Sequence, residues 1–322
     1  MKNTILYIVV PCYCESEVLP ITSKLFLDEL NTLIGKEKIS EKSRILFVND
    51  GSSDDTWSII CGLSKENEHF KGISLSRNRG HQNALLAGMM EAKTVADVVI
   101  TIDCDGQDDI EAMEKMIDEY DSGADIVYGA RSSRKTDSFA KRFTAQTYYK
   151  LLASMGVEVV YNHADYRLVS AKVLEAFSEY KEVNLFLRGM FPLVGFKSTT
   201  VLYERHERMA GKTHYPLKKM IGLAMDGITS LSVKPIRLIT GMGIGVALIS
   251  FLAVIWFFIG AMTGKTVQGW ASTTCIIAFL GGIQLIAIGV LGEYIGKIYM
   301  EVKERPRYII SSRTDEDATG EK

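Results

Sequence analysis

The feature that most restricts this chain is a pair of uncharged apolar segments near its C-terminal end, Leu238–Met262 and Thr266–Gly292. Each exceeds the ~20 residues a helix needs to cross a hydrocarbon layer of roughly 30 Å. A soluble core does not call for two such runs in succession, so they are expected to form a membrane hairpin. Lys234 and Arg237 precede the first segment, Lys297, Lys303, Arg305 and Arg307 follow the second, and the short connector carries only Lys265. Basic residues stay on the cytosolic side of a bilayer, which puts both ends of the hairpin in the cytosol. The spacings Gly241-x-x-x-Gly245 and Gly292-x-x-x-Gly296 permit close helix contact and leave a homo-oligomer open.

Ahead of the hairpin the chain reads as a globular domain. With 322 residues and 47% hydrophobic content it can bury a sizeable core, which excludes a disordered protein. The opening MKNTILYIVVPCY breaks at Pro11 after a strand-length run, so it does not read as a secretory leader. Five scattered cysteines, an odd number, fit reduced thiols. Cys12 and Cys14 lack a neighbouring Cys/His pair that would complete a zinc site and read as incidental loop or core residues.

From residue 5 to 129 short β-type runs alternate with helical patterns: ILYIVV before 16–34, RILFV before 54–67, GISLS before 80–93, DVVITID before 109–121, then DIVYG. That order predicts an α/β domain of parallel strands with crossover helices. Further on, helices are expected at 138–155 and 170–179 and a strand near 195–203. Residues 216–231 carry a one-sided apolar stripe with Lys218 and Lys219 off it, which suits a helix in a membrane interface or one packed on a core. The tail from Ser311 reads as solvated disorder.

Ligands of such sheets bind at the carboxyl ends of the strands, and PCYCESE, NDGSSDD, SRNRG and DCDGQDD each follow a strand directly. Four loops can therefore line one crevice. The front of the chain is acidic and residues 205–237 are basic, which suggests two different partners. In extended geometry Asp103 and Asp105 would face one side, and hard oxygen ligands at that spacing suit Mg²⁺ or Mn²⁺ completed by substrate phosphates. The competing reading is a turn whose Asp108 or Asp109 caps the next helix. Pro11, Tyr13 and Glu15 at the first strand's mouth, with Asp50 in a glycine turn, offer an aromatic ring and carboxylates to a nucleoside. The absence of G-x-G-x-x-G after the first strand excludes a dinucleotide oxidoreductase, and the acidic crevice argues against nucleic acid.

Nine blocks in order, PCYCESE, NDGSSDDT, LSRNRGHQNALLAG, DCDGQD, YGAR, ADYRLVS, FLRGMFPLVGF, ERHERMAGKTHYPL and DGITSLS, resemble the inverting glycosyltransferases of family two. Covering nearly all of residues 5–305, they are similar in particular to the polyprenyl-phosphate sugar transferases. The resemblance implies a cytosolic GT-A (nucleotide-diphospho-sugar transferase, Rossmann-like) domain in residues 1–215 and an interfacial helix in 216–234. Two transmembrane helices within 235–298, about 238–262 and 268–292, and a cytosolic tail 299–322 complete the layout. It further implies a UDP-linked sugar donor, undecaprenyl phosphate as acceptor, Mg²⁺ or Mn²⁺, and a place in a bacterial cytoplasmic membrane.

Residue by residue, Pro11, Tyr13, Glu15 and Asp50 match positions that hold base and ribose, and Asp103 and Asp105 match the metal and diphosphate site, with Gln107 beside them. Arg131 matches an arginine near the reacting phosphates. Arg208 and His214 match a basic pair on a loop that closes over the nucleotide. Asp165 matches a proposed catalytic base, the alternative being a helix N-cap. Asn49 before Asp50, His214 where lysine is usual and PCYCE in the first block depart from the family pattern. A phosphomonoester with a second pKa of about 6 is already largely ionised, so the acceptor needs positioning more than proton removal. Two rival readings are a processive polysaccharide synthase, for which two spans are too few and Q-x-x-R-W is missing, and a catalytically silent scaffold, against which the intact D-x-D and Asp165 stand.

Overall fold

A computed structural model of the chain describes residues 4–132, 163–206, 228–230, 232–262 and 269–315. The helix expected at 138–155, most of the amphipathic stripe, the Lys265 connector, Arg208 and His214 lie outside them.

The predicted alternation is present: β1 (Leu6–Cys12), α1 (Leu19–Gly35), β2 (Arg44–Asn49), α2 (Thr56–Glu66), β3 (Phe70–Leu75), α3 (His81–Ala92), β4 (Val98–Thr101), α4 (Ala112–Asp121) and β5 (Ile126–Arg131). There follow β6 (His163–Ser170), α5 (Ala171–Ser178), α6 (Leu187–Leu193), β7 (Ser198–Tyr203), the long helices α7 (Lys234–Met262) and α8 (Trp270–Val302), and β8 (Ile310–Arg313). The strands form one sheet in the order β7-β5-β6-β4-β1-β2-β3-β8. Six run parallel, while β6 and β8 are antiparallel to their neighbours.

Side-chain alternation divides the core between the two faces of the sheet. Leu6, Ile8, Val10 and Cys12 of β1 pack with α1, α2 and α4, whereas Val9 packs with α3, α5 and α6 on the other face. Both faces are covered, which is why the parallel strands read as near-continuous apolar runs. Contact with α3 is close: a Cβ on Gly88 would lie 2.3 Å from Val9 Cγ1, so glycine is what lets the helix settle on β1.

Two elements were not legible in the sequence. β6 inserts between β4 and β5, pairing Thr101 with Arg167 and Tyr128 with Arg167 from either side. β8 corrects the expectation of disorder from Ser311, because Ile73↔Arg313 and Ser74↔Ser312 pair it with β3. Without it β3 would be an open edge. Glu91 and Arg313 at 2.7 Å, and Lys71 and Asp315 at 2.5 Å, fasten the strap.

Both α7 and α8 are long and apolar enough to cross a membrane, over Lys234–Ala253 and Phe279–Val302. Leu248, Ile249, Leu252, Leu285 and Ile286 are exposed along them. The second helix runs on past Gly292 to Val302. At 1.5 Å per residue its 33 residues span about 50 Å, well beyond a hydrocarbon layer.

Candidate active site

The carboxyl ends of β1, β2, β3 and β4 meet at one crevice with the start of the antiparallel β6. At the mouth of β1, Pro11 is the strand's penultimate residue, before Cys12, and Tyr13 just beyond it is half exposed. Glu15 follows in a loop laced to the next one: Cys14 N donates to Ser52 Oγ, Glu15 N to Thr56 Oγ1 and Ser16 N to Asp54 Oδ2. Asn49 is buried and satisfied, its amide donating to Ser74 Oγ and accepting from Ser52 N. That pairing accounts locally for an amide where the family writes an acid.

Asp50 is 2% exposed and accepts the amides of Arg79 (2.7 Å) and Gly80 (2.9 Å), so it shapes the loop after β3. Burial raises its pKa against those two hydrogen bonds. Gly51 beside it has φ +63°, and a Cβ there would meet Arg77 C at 2.4 Å, so only glycine permits the approach of the two loops.

The D-x-D stretch lies in a turn, because β4 ends at Thr101. Cys104 between the two acids faces the core with Cys12. Asp105 accepts from Gln107 N at 3.0 Å. Asp103 Oδ1 is buried without a hydrogen-bond partner, and His81 Nε2 stands 3.5 Å from it. Burial, with the charges of Asp165 and Asp105, raises the Asp103 pKa against the pull of His81.

Asp165 lies within β6, and the helix cap of the alternative reading belongs to Ser170, whose Oγ accepts from Val173 N. Its carboxylate meets three cationic or ionisable groups. Arg167 Nη2 donates to Oδ1 at 2.6 Å, Arg188 Nε to Oδ1 at 3.2 Å and Arg188 Nη2 to Oδ2 at 2.9 Å. His81 Nε2 is 3.3 Å from Oδ2. Burial would raise this carboxyl, yet Arg188, His81 and Arg167 hold it well below the usual range. For His81, burial opposes protonation, but Asp165 and Asp103 raise its pKa overall.

The profile of the family described as glycosyl transferase family 2 matches residues 7–177. This chain belongs to that family. It is 51% identical over 309 residues to the glycosyltransferase YkoT of Bacillus subtilis strain 168, covering 96% of this chain and 92% of that protein. It is 42% identical over 308 residues to the bactoprenol glucosyl transferase of Shigella phage SfX, covering 95% and 98%. The prophage bactoprenol glucosyl transferase homolog of Escherichia coli strain K12 is 41% identical over 305 residues, covering 94% and 97%.

In this family 2 glycosyltransferase the GT-A-like sheet also brings Gln107 and Arg131 to the crevice. Gln107 Oε1 accepts from Arg205 Nη2, and its carbonyl accepts His206 N at 2.8 Å, at the root of the segment that carries Arg208 and His214. Arg131 ends β5 opposite Tyr203. Asp108 caps nothing: it is 3% exposed and accepts Tyr203 Oη at 2.6 Å. Burial and the charge of Asp103 push its pKa up to about 6.

Sequence reading missed His81, Arg167, Arg188 and Tyr203 and took Asp108 only for a helix cap. All but Tyr203 lie inside the blocks LSRNRGHQNALLAG, DCDGQD, ADYRLVS and FLRGMFPLVGF, which was the available signal. Among the described residues no group of three His, Cys, Asp or Glu side chains forms a ready metal cage. Two carboxylates with one orphaned buried oxygen do fit a divalent ion that takes its remaining ligands from water and phosphate.

Proposed function

We propose that this chain transfers a hexose from a UDP-sugar to undecaprenyl phosphate at the cytosolic face of a bacterial cytoplasmic membrane, inverting the anomeric carbon. The observation that carries this reading is the near end-to-end match to bactoprenol glucosyl transferases, membrane helices included. A polyprenyl acceptor cannot leave the bilayer, so a crevice tied to two membrane helices suits it. The product, a polyprenyl-phosphate sugar, would serve envelope glycan modification.

Tyr13, with Pro11, Glu15 and Asp50, holds the nucleoside, and Gln107, Arg131, Arg208 and His214 attend its phosphates. Mg²⁺ or Mn²⁺ held by Asp103 and Asp105 would neutralise charge on the departing diphosphate. An oxygen of the dianionic acceptor phosphate attacks the anomeric carbon, and the bond from that carbon to the diphosphate oxygen breaks, its electron pair leaving with the nucleoside diphosphate. No proton has to be removed, because the acceptor phosphate is ionised at neutral pH. A carboxyl held as low as Asp165 is a weak base, and its value lies in orienting Arg188 and His81.

The test is transfer of label from a panel of radiolabelled UDP-, GDP- and CMP-sugars to undecaprenyl phosphate by protein purified in detergent, with and without EDTA. Label is expected in the organic phase with a UDP-sugar only, and to vanish with the chelator. No label with any donor would overturn the reading.

A further inference from the structure

We infer that Arg188 is the anchor for the acceptor's phosphate and that Glu301, on membrane helix α8, holds it in position; this rests on the transfer reaction proposed above. Two guanidinium groups meet the carboxylate of Asp165, and they differ in what else they can reach. Arg167 cannot present its charge to a ligand. It is 1% exposed and lies 4.8 Å over the Phe191 ring, sealed in the core. Arg188 can, since its side chain is 37% exposed while its fork grips both oxygens of Asp165. A planar guanidinium fixed in this way can meet a phosphate with little further ordering.

The direction from which a phosphate arrives is set by what holds Arg188. Its helix α6 starts three residues after Asn184, and the preceding loop is clasped by α8. Glu301 Oε2 accepts Val183 N at 2.8 Å, and Oε1 accepts Asn184 N at 3.0 Å and Asn184 Nδ2 at 2.7 Å. Arg307 Nη1 donates to Tyr180 O at 3.0 Å from the same side. On the other flank Gln82 Oε1 receives Leu187 N at 2.9 Å. A cavity of about 240 Å³ adjoins the clasp, where Gly292 and Gly296 leave the helix bare between Asn184 and Lys297. Membrane helix, clasped loop and Arg188 therefore form one continuous mount leading from the bilayer side to Asp165. The donor-side groups, Tyr13, Asp50 and Arg131, stand on other strand ends.

The experiment is steady-state kinetics of the full chain in detergent with both substrates varied. Arg188→Gln is expected to raise KM for undecaprenyl phosphate roughly tenfold or more, with the donor KM within about twofold, and Arg188→Lys to recover part of the loss. Glu301→Ala is expected to raise the same acceptor KM severalfold, and the double variant to be no worse than Arg188→Gln alone. Should Arg188→Gln fail to fold, Arg188→Lys and Glu301→Ala carry the test. An unchanged acceptor KM, an equal rise in the donor KM, or additive single effects would overturn the inference while transfer by the unmodified chain stands. Absence of transfer by the unmodified chain would instead take down the reaction on which it rests.

Discussion

At Asp165 a carboxylate is held by Arg167 and Arg188 and faced by His81, and its removal has two separable effects. Asp165→Ala leaves Arg167 charged and buried without its partner, which costs about 3–5 kcal/mol of stability. Asp165→Asn keeps the volume and an acceptor oxygen, so it should lose activity while melting closer to the parent chain; denaturant unfolding in detergent separates the two. Asp108 makes a pH prediction. Its folded pKa of about 6 exceeds the ordinary value of about 3.9, so the folded state binds the proton more tightly. Its contribution is full below about pH 4 and disappears as the pH rises through 6. In Asp108→Asn, which still accepts from Tyr203, the melting temperature should lose that decline between pH 4 and 7; an unchanged slope would show that Asp108 is not its source.

Among the elements, β8 is the one whose role the local sequence conceals. Tyr308 and Ile310 pack against the core while Ser311 and Ser312 keep the segment polar, so composition reads as tail and pairing reads as strand. Thr314 Oγ1 receives Gly72 N at 3.0 Å, and Ser76 N donates to Ile309 O at 2.9 Å. Truncation before Tyr308 is therefore expected to speed amide exchange at Gly72–Ser76 and to promote association through the bared edge. Hydrogen exchange and light scattering read the two outcomes. Gly88→Val addresses α3 in the same way: a Cβ alone would lie 2.3 Å from Val9 Cγ1 and 2.8 Å from Val48 Cγ2, so valine forces the helix off the sheet, at a cost of about 1–3 kcal/mol or more.

For the whole molecule, the strap and the Glu301 clasp tie the long apolar helix α8 to the sheet domain at two places. The chain leaves the globular domain at Lys234 and returns from α8 through Arg307 to the edge of the same sheet. On the proposed orientation, with both ends of the hairpin in the cytosol, a cysteine placed by Lys265→Cys should react with a membrane-impermeant maleimide added outside intact cells. Reaction only after permeabilisation would reverse the assigned orientation.

Much of this was written in local pattern. The apolar runs before and after Lys265, the alternation from residue 5 to 129, and the clusters after each strand depend on composition and period, which neighbouring residues set for themselves. Asp103, Asp105 and Asp50 could be picked out because glycine turns and strand ends mark such places. Partnerships across the chain were a different matter. Asp165 could be named from its block, but that it would sit between Arg167, Arg188 and His81, held too low to be a good base, depends on β6 entering the sheet between β4 and β5. β8 needed β3, more than 230 residues earlier, before it became a strand at all. Sequence fixes what a segment can become when its own side chains decide the matter; a buried charge and an edge strand take their character from partners that only folding brings within reach.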